Sequence, residues 1–166
     1  MSTVTLKGNP IHLAGTMPAK GAVAPDFTLV KNDLSQVTKK DLAGKTFVLL
    51  TVPSVDTGVC ATETRKFNEK ATSIPGVTVL VAASDLPFAM KRFCAAEGIA
   101  NVHTVSDVRD REFGKRWGVH IADGPLAGVT ARAAFVVDGT GHVKYAELVP
   151  EIGQEPNYEA ILAAAK

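Results

Sequence analysis

Hydrophobic and polar residues follow one another along this 166-residue chain in a pattern that predicts alternating strands and helices. Two continuous β-branched runs, Thr46–Val52 and Val77–Ala83, are typical of strands buried on both faces. The first run is followed by inward-facing positions at helical spacing, which are Cys60, Thr64, Phe67, Ala71 and Ile74. Charged residues lie between these positions: Glu63, Arg65, Lys66, Glu69 and Lys70. The second run is followed by a short predicted helix, Pro87–Glu97, which Gly98 ends.

Weaker signals add further elements on either side of this centre. They predict a hairpin over Thr3–Leu13 around Gly8-Asn9, strands at Phe27–Val30, near Val37 and at 102–105, a helix at Asp110–Trp117, a loop at Gly118–Gly128, a hairpin of Ala133–Val137 with His142–Leu148, and a last helix at Tyr158–Ala164. The order of elements predicts an α/β fold with a mixed sheet and helices on both faces. The length and the absence of a linker pattern predict a single domain, residues 1–166.

Composition excludes several classes of function. Hydrophobic residues at 46% and charged residues at 21% are the balance of an ordinary globular protein, not of a disordered or fibrous one. Eighteen basic residues against 17 acidic ones give no reason to expect nucleic acid or a membrane as partner. No apolar run reaches the roughly 18 to 20 residues that span a bilayer, and the start of the chain has no secretory pattern. We therefore expect a cytoplasmic protein.

The chain has two cysteines, Cys60 and Cys94. In a reducing compartment such a pair is more often catalytic, redox-active or simply buried than a structural disulfide. The four histidines do not combine with them at metal-ligand spacing, so we expect neither a metal site nor a cofactor.

Cys60 lies where a buried strand passes into a helix, after the loop Ser54–Gly58. The first turn of a helix presents unpaired N–H groups and the positive end of the helix dipole, which stabilise an anion such as a thiolate. This stabilisation is about 0.3 to 1 kcal/mol and at most about 2. Lowering the pKa of an ordinary thiol from about 8.5 to about 6 needs about 3.4 kcal/mol. A nearby cation must therefore supply the difference.

Arg132 is the best candidate for that cation. It stands at the entrance to the apolar strand Ala133–Val137, where a charge is costly unless it meets an anion. Arg65 and Lys66 are nearer in sequence but should point from the helix toward solvent. Taken alone, Arg132 could also be an edge residue paired with a surface carboxylate, and Cys60 an inert buried thiol.

Several segments of the chain resemble one known family. Pro53, Thr57 and Cys60 in the pattern Pro-x-x-x-Thr-x-x-Cys, with Arg132 before a downstream strand, resemble the active-site signature of the peroxiredoxins. The wider segments resemble the thiol peroxidase branch of that family, which belongs to the atypical two-cysteine type. These segments are 53–68, 85–89, 92–94, 121–126 and 131–133.

The resemblance implies a thioredoxin-like fold with an N-terminal extension and a role for each signature residue. Cys60 would be the peroxidatic cysteine, which a peroxide oxidises to a sulfenic acid, and Cys94 the resolving cysteine, which forms a disulfide with it. Arg132 would hold the thiolate and polarise the peroxide. Thr57 would form a hydrogen bond with the peroxide, and Pro53 would shield the sulfur from water. Thioredoxin would reduce the disulfide. The resemblance also implies a homodimer and a preference for organic hydroperoxides.

A disulfide between Cys60 and Cys94 would need a conformational change. A disulfide needs Cα atoms about 4.4 to 6.8 Å apart, yet the two cysteines are predicted on separate helices. We therefore expect one of these helices to unwind in part during the reaction.

Two other functions remain open at this stage. A thiol–disulfide oxidoreductase or redox sensor is expected to carry Cys-x-x-Cys, whereas residues 61–93 separate the cysteines here. A non-enzymatic interaction domain with two core cysteines is the third alternative.

Overall fold

The computed structural model describes residues 2–166, so Met1 of the predicted domain lies outside the described residues. An antiparallel hairpin is its first element. Strand β1 (Thr3–Leu6) pairs with β2 (Asn9–Ala14), and Leu6 lies opposite Asn9. The turn is Lys7-Gly8, with φ of 51° and 81°. Positive φ at both turn residues matches the twist of the strands. The predicted hairpin is confirmed, with its turn one residue earlier than expected.

A seven-stranded mixed sheet forms the centre of the molecule. In their order across the sheet, the strands are β10 (Val143–Leu148), β9 (Ala133–Val137), β5 (Phe47–Thr51), β6 (Thr78–Ala83), β7 (His103–Ser106), β3 (Thr28–Lys31) and β4 (Gln36–Thr38). Strands β5, β6 and β7 run parallel, and the other pairings are antiparallel. All residues of β5 are buried, as the continuous apolar run predicts.

Helices cover the two faces of the sheet unequally. On one face lie α1 (Gly58–Lys70), α2 (Pro87–Glu97) and α4 (Tyr158–Ala165), whose buried side chains meet those of β5, β6 and β9. Gly98 ends α2 in the left-handed conformation, as predicted. A short 3-10 helix, Ala71–Ser73, extends α1. None of the helices within residues 2–166 has the length and apolar character needed to cross a bilayer.

The other face of the sheet is covered mainly by irregular chain. Trp117 is fully buried there among Phe27, Phe113 and Phe135. The only regular helices described on this side are short: α3 (Phe113–Arg116) and a 3-10 helix, Lys40–Leu42.

Two predicted elements differ in extent from the structure. The helix predicted over Asp110–Trp117 is reduced to α3, and the Asp110 carboxylate before it accepts from the backbone N–H of Thr28 and pairs with Arg116. The predicted loop Gly118–Gly128 contains a short strand, β8 (His120–Ile121). It joins β2 and β1 in a separate three-stranded sheet, a contact that no local pattern encodes.

Candidate active site

The junction between β5 and α1 places Cys60 in the first turn of a helix. Pro53 is buried after the strand, Thr57 occupies the N-cap position without a side-chain capping bond, and the Cys60 side chain is 0% exposed. The N–H groups of this turn have no carbonyl available within the helix, and the helix dipole adds positive potential. The predicted position of the thiol at a helix start is confirmed.

Arg132 supplies the cation at this junction. Because Ala133 of β9 pairs with Thr51 of β5, the residue before Ala133 lies beside the start of the Cys60 loop. One guanidinium nitrogen, Nη2, donates to Cys60 Sγ at 3.2 Å. The side chain is 1% exposed, so Arg132 is not the surface-paired edge residue that its sequence position also allowed.

The other two guanidinium nitrogens of Arg132 each make one hydrogen bond as well. Its Nη1 donates to Glu63 Oε2 at 2.6 Å, and its Nε donates to the carbonyl of Ile152 at 3.0 Å. Burial lowers the pKa of Arg132, but its two partners Cys60 and Glu63 more than offset this, so that its pKa is raised. The guanidinium therefore stays charged and is fixed in three directions.

Glu63 is a site residue that the sequence pattern did not identify. The helical pattern grouped it with the polar residues of α1, but its side chain is fully buried. Burial raises the pKa of Glu63 to about 7, and the Arg132 charge opposes this rise. The spacing of Glu63 could have revealed its burial. It lies three positions after Cys60 and four before Phe67, and residues at these intervals share one face of a helix.

A mostly apolar cavity of about 330 Å³ lies over this cluster. Pro53, Thr57 and Arg132 line it, so the structure brings these three predicted residues together with the buried Cys60. The Thr57 hydroxyl is turned toward the loop and donates to the Ser54 carbonyl at 3.2 Å. Leu6 of the hairpin, Leu126 and Ile152 complete much of the wall.

Cys94 lies elsewhere. It is half-buried on α2 and lines a second cavity of about 330 Å³ together with Asn32 and Thr104. Both thiols are free, and Cys94 Sγ contacts the Thr104 hydroxyl at 3.2 Å. The structure thus does not bring the second predicted cysteine into the cluster around Cys60.

Asp85 fixes the loop that precedes Cys60. Its Oδ1 accepts from the Ser54 hydroxyl and its Oδ2 from the Val55 N–H, both at 2.8 Å. Asp85 stands two residues before α2, so it ties the start of that helix to the Cys60 loop. Its sequence position before Leu86-Pro87 gives no hint of this contact.

The described residues, 2–166, contain no cluster of three or more His, Cys, Asp or Glu side chains arranged to hold a metal ion. The groups that meet at the site are the Cys60 thiol, the Arg132 guanidinium and the backbone donors of the first helix turn.

A buried thiol held at a helix start by a guanidinium is typical of thiol-dependent oxidoreductases. The chain belongs to the Redoxin family, which it matches over residues 19–162. It is 58% identical to a thiol peroxidase of Leptospira interrogans, over 99% of this chain and 98% of the relative. It is 54% identical to a thiol peroxidase of Mycobacterium tuberculosis, again over 99% and 98% of the two chains.

Solved structures agree with this assignment. A peroxiredoxin-like protein from Aquifex aeolicus superimposes with a TM-score of 0.94 at 45% identity, covering 99% of this chain and 96% of that one. A thiol peroxidase from Chromobacterium violaceum gives 0.90 at 26% identity, covering 97% and 93%. The predicted fold, a thioredoxin-like mixed sheet flanked by helices and preceded by a hairpin, is confirmed. The enzyme class is a peroxiredoxin-type peroxidase.

Proposed function

We propose that this enzyme reduces hydrogen peroxide and organic hydroperoxides through the Cys60 thiolate. The observation that carries the proposal is the 3.2 Å contact between Arg132 Nη2 and Cys60 Sγ at the start of α1. The sulfur attacks the terminal peroxide oxygen, and the O–O bond breaks. Cys60 becomes a sulfenic acid, and the other oxygen leaves with a proton as water or an alcohol.

The surrounding groups have separate tasks in this step. Arg132 stabilises the thiolate and donates to the peroxide oxygens where negative charge develops. The N–H groups of Val59 and Cys60 at the helix start add to that stabilisation. Thr57 turns its hydroxyl from Ser54 to the substrate, and the buried ring of Pro53 keeps water from the sulfur.

Cys94 is proposed as the resolving cysteine. It condenses with the Cys60 sulfenic acid to give a disulfide and water, and thioredoxin then reduces this disulfide by thiol exchange. Because Cys60 is fully buried beside Arg132 whereas Cys94 lines a separate cavity, and both thiols are free, we expect part of α1 or α2 to unwind first. Structures of the reduced and oxidised enzyme test this step, and an identical backbone around both cysteines would contradict it.

Turnover with thioredoxin and its reductase tests the proposed function. We expect Cys60→Ser to abolish peroxide consumption, and Cys94→Ser to consume one equivalent without further turnover. A non-enzymatic domain would lose no thiols stoichiometrically when one equivalent of peroxide is added. A thiol–disulfide oxidoreductase or redox sensor would instead react with protein disulfides and give no peroxide turnover.

The cavity supports a preference for organic hydroperoxides. Its wall is largely apolar, with Leu6, Leu126 and Ile152 close to Arg132. An alkyl group can be buried there, whereas hydrogen peroxide gains nothing from these side chains. A comparison of kcat/KM for an alkyl hydroperoxide and for hydrogen peroxide tests the preference.

We also propose that residues 1–166 act as one domain in a cytoplasmic homodimer. Regeneration of two thiols needs a reducing compartment that contains reduced dithiol protein.

The proposed dimer contact lies near the active site. Leu86 and Phe88 follow Asp85, which holds the Cys60 loop, and their side chains are 51% and 66% exposed. Light scattering of the native protein and of Phe88→Asp tests the dimer, since the variant should be monomeric.

A further inference from the structure

A short chain of hydrogen bonds holds Cys94 against the sheet. Its Sγ lies 3.2 Å from the hydroxyl oxygen of Thr104 in β7. The same hydroxyl donates to Asn32 Oδ1 at 2.8 Å. Thr104 is 1% exposed, whereas Cys94 and Asn32 are half-buried at the wall of the second cavity. The proposed function assigns no task to Thr104 or Asn32.

The number of available protons fixes the direction of these bonds. A threonine hydroxyl has one proton, and an amide oxygen can only accept. Since Asn32 Oδ1 takes the Thr104 proton, the S–H of Cys94 must be the donor to the Thr104 oxygen. A thiolate, the form that acts as nucleophile, has no proton for this contact. The contact is therefore made by the unreactive form of Cys94.

The fold brings Asn32 to this position. Strands β3 and β7 are antiparallel, with Val30 opposite Ser106 and Lys31 opposite Val105. The same register continued by one residue places Asn32 opposite Thr104. Successive side chains of a strand alternate between its faces, so Thr104 points toward α2 while Val105 packs in the core of the other face.

We propose that Thr104, kept as an acceptor by Asn32, is a positioning residue that holds Cys94 in the reduced enzyme and sets the rate of disulfide formation. The inference rests on the proposed role of Cys94 as resolving cysteine. In the resolving step the Cys94 sulfur leaves Thr104 and forms a bond with the Cys60 sulfur. The S–OH bond of the sulfenic acid breaks, and its hydroxyl leaves as water with the proton from Cys94. The Thr104 contact therefore prolongs the life of the sulfenic acid and its exposure to a second peroxide, which yields the sulfinic acid.

Alkylation of Cys94 by iodoacetamide tests the contact itself, in a Cys60→Ser background where no peroxidase chemistry occurs. Thr104→Val keeps the shape of the side chain but removes the acceptor, and we expect alkylation about fivefold faster. The matched control, Thr104→Ser, keeps the hydroxyl and should react at the parental rate. Asn32→Ala, at a half-buried position outside the core, should also accelerate alkylation because the Thr104 proton becomes free to stabilise the thiolate. A parental rate in Thr104→Val, or an equal rise in Thr104→Ser, overturns the proposal.

Disulfide formation tests the consequence for the reaction, with both cysteines present. After one equivalent of peroxide, quenched samples analysed by mass spectrometry should show the Cys60–Cys94 disulfide about fivefold sooner in Thr104→Val. With excess peroxide the same variant should accumulate less Cys60 sulfinic acid. Unchanged or slower disulfide formation overturns the proposal. Failure of the proposed function gives a different result. If Cys94 is not the resolving cysteine, Cys94→Ser turns over normally with thioredoxin, while Thr104→Val still accelerates the alkylation of Cys94.

Discussion

The guanidinium of Arg132 serves two acidic partners at once. It donates to Cys60 Sγ through Nη2 and to Glu63 Oε2 through Nη1, and all three side chains are buried. Only the planar, forked arrangement of donors in arginine can reach both partners and the Ile152 carbonyl together. The shape of Arg132 therefore matters as much as its charge.

Arg132→Lys tests this point. A lysine ammonium keeps the charge but cannot reproduce three bonds in fixed directions, so we expect kcat/KM for peroxide to fall by about 10²- to 10³-fold. Steady-state turnover with thioredoxin measures the fall, and the circular dichroism spectrum checks that the variant folds. Turnover at the native rate would show that charge alone is sufficient.

Glu63 makes stability depend on pH in a specific window. Burial raises the pKa of Glu63 from 4.5 to about 7, so between these values the folded protein binds a proton that the unfolded chain has released. The contribution of Glu63 to stability is therefore greatest below the lower value and falls as pH rises through the window, by at most about 1.4 kcal/mol per pH unit. Glu63→Gln cannot titrate and should lose this slope.

Urea unfolding of both proteins across that window measures the effect. Equal slopes in the native protein and in Glu63→Gln would mean that Glu63 is already ionised throughout the range. Arg132 remains charged in both proteins, so the comparison isolates the Glu63 carboxyl.

At the scale of elements, Asp85 couples the start of α2 to the loop that leads into α1. Both of its carboxylate oxygens are used, one by Ser54 and one by the Val55 N–H. The two helices that carry the proposed cysteine pair thus share one anchor at their N-terminal ends. Farther along, Arg65 of α1 and Glu97 of α2 add an exposed ion pair at 3.1 Å, which contributes little.

Asp85→Asn should weaken this anchor. An amide has one acceptor oxygen in place of two and carries no charge, so one of the two bonds is lost and the other is weakened, with a stability loss of about 2 kcal/mol. We expect slower peroxide turnover as well, because the Cys60 loop is less firmly held. Urea unfolding and turnover are the measurements.

Ser54→Ala is the matched control for that variant. It removes the bond to Oδ1 together with an exposed 3.1 Å bond that the Ser54 hydroxyl accepts from the Asp56 N–H, and it leaves the charged Val55 bond intact, so its effects should be smaller than those of Asp85→Asn. Equal effects would place the whole contribution of Asp85 on the Ser54 hydroxyl.

At the scale of the whole molecule, the N-terminal hairpin contributes to the wall of the candidate active site. Glu151 fastens it by accepting from the Thr5 hydroxyl at 2.5 Å and the Lys7 N–H at 2.9 Å. These hydrogen bonds lower the pKa of Glu151 to about 2, and the bond from the Thr5 hydroxyl has the largest effect. The next residue, Ile152, accepts from Arg132 and lines the cavity, as does Leu6. The hairpin and the guanidinium are therefore joined through one short segment.

Leu6→Ala should change substrate preference. The truncated side chain removes apolar surface from the cavity, so we expect kcat/KM for an alkyl hydroperoxide to fall about fivefold while that for hydrogen peroxide stays the same. Val23→Ala is the control, because Val23 is exposed and lines a different cavity. An equal fall with both peroxides would mean that the hairpin acts on the chemistry and not on substrate binding.

Local sequence patterns are sufficient to predict the elements and the place of the proposed reactive thiol. Buried strands, the limits of α2 between Pro87 and Gly98, and the position of Cys60 at a helix start are all encoded by neighbouring residues. Arg132 could be singled out because a charge at the start of a buried strand needs a partner. Periodicity and capping act over a few residues, so local reasoning can reach them.

Which side chains become partners depends on the tertiary fold. The bonds from Arg132 to Glu63 and Cys60 span 69 and 72 residues, and the bond from Thr104 to Asn32 also spans 72. Two further contacts also join distant segments: the pairing of β8 with β2 and the bond from Ser54 to Asp85. A buried polar group takes whichever partner the packing of the sheet brings within hydrogen-bond distance, and that choice depends on strand order and register, which no local pattern contains.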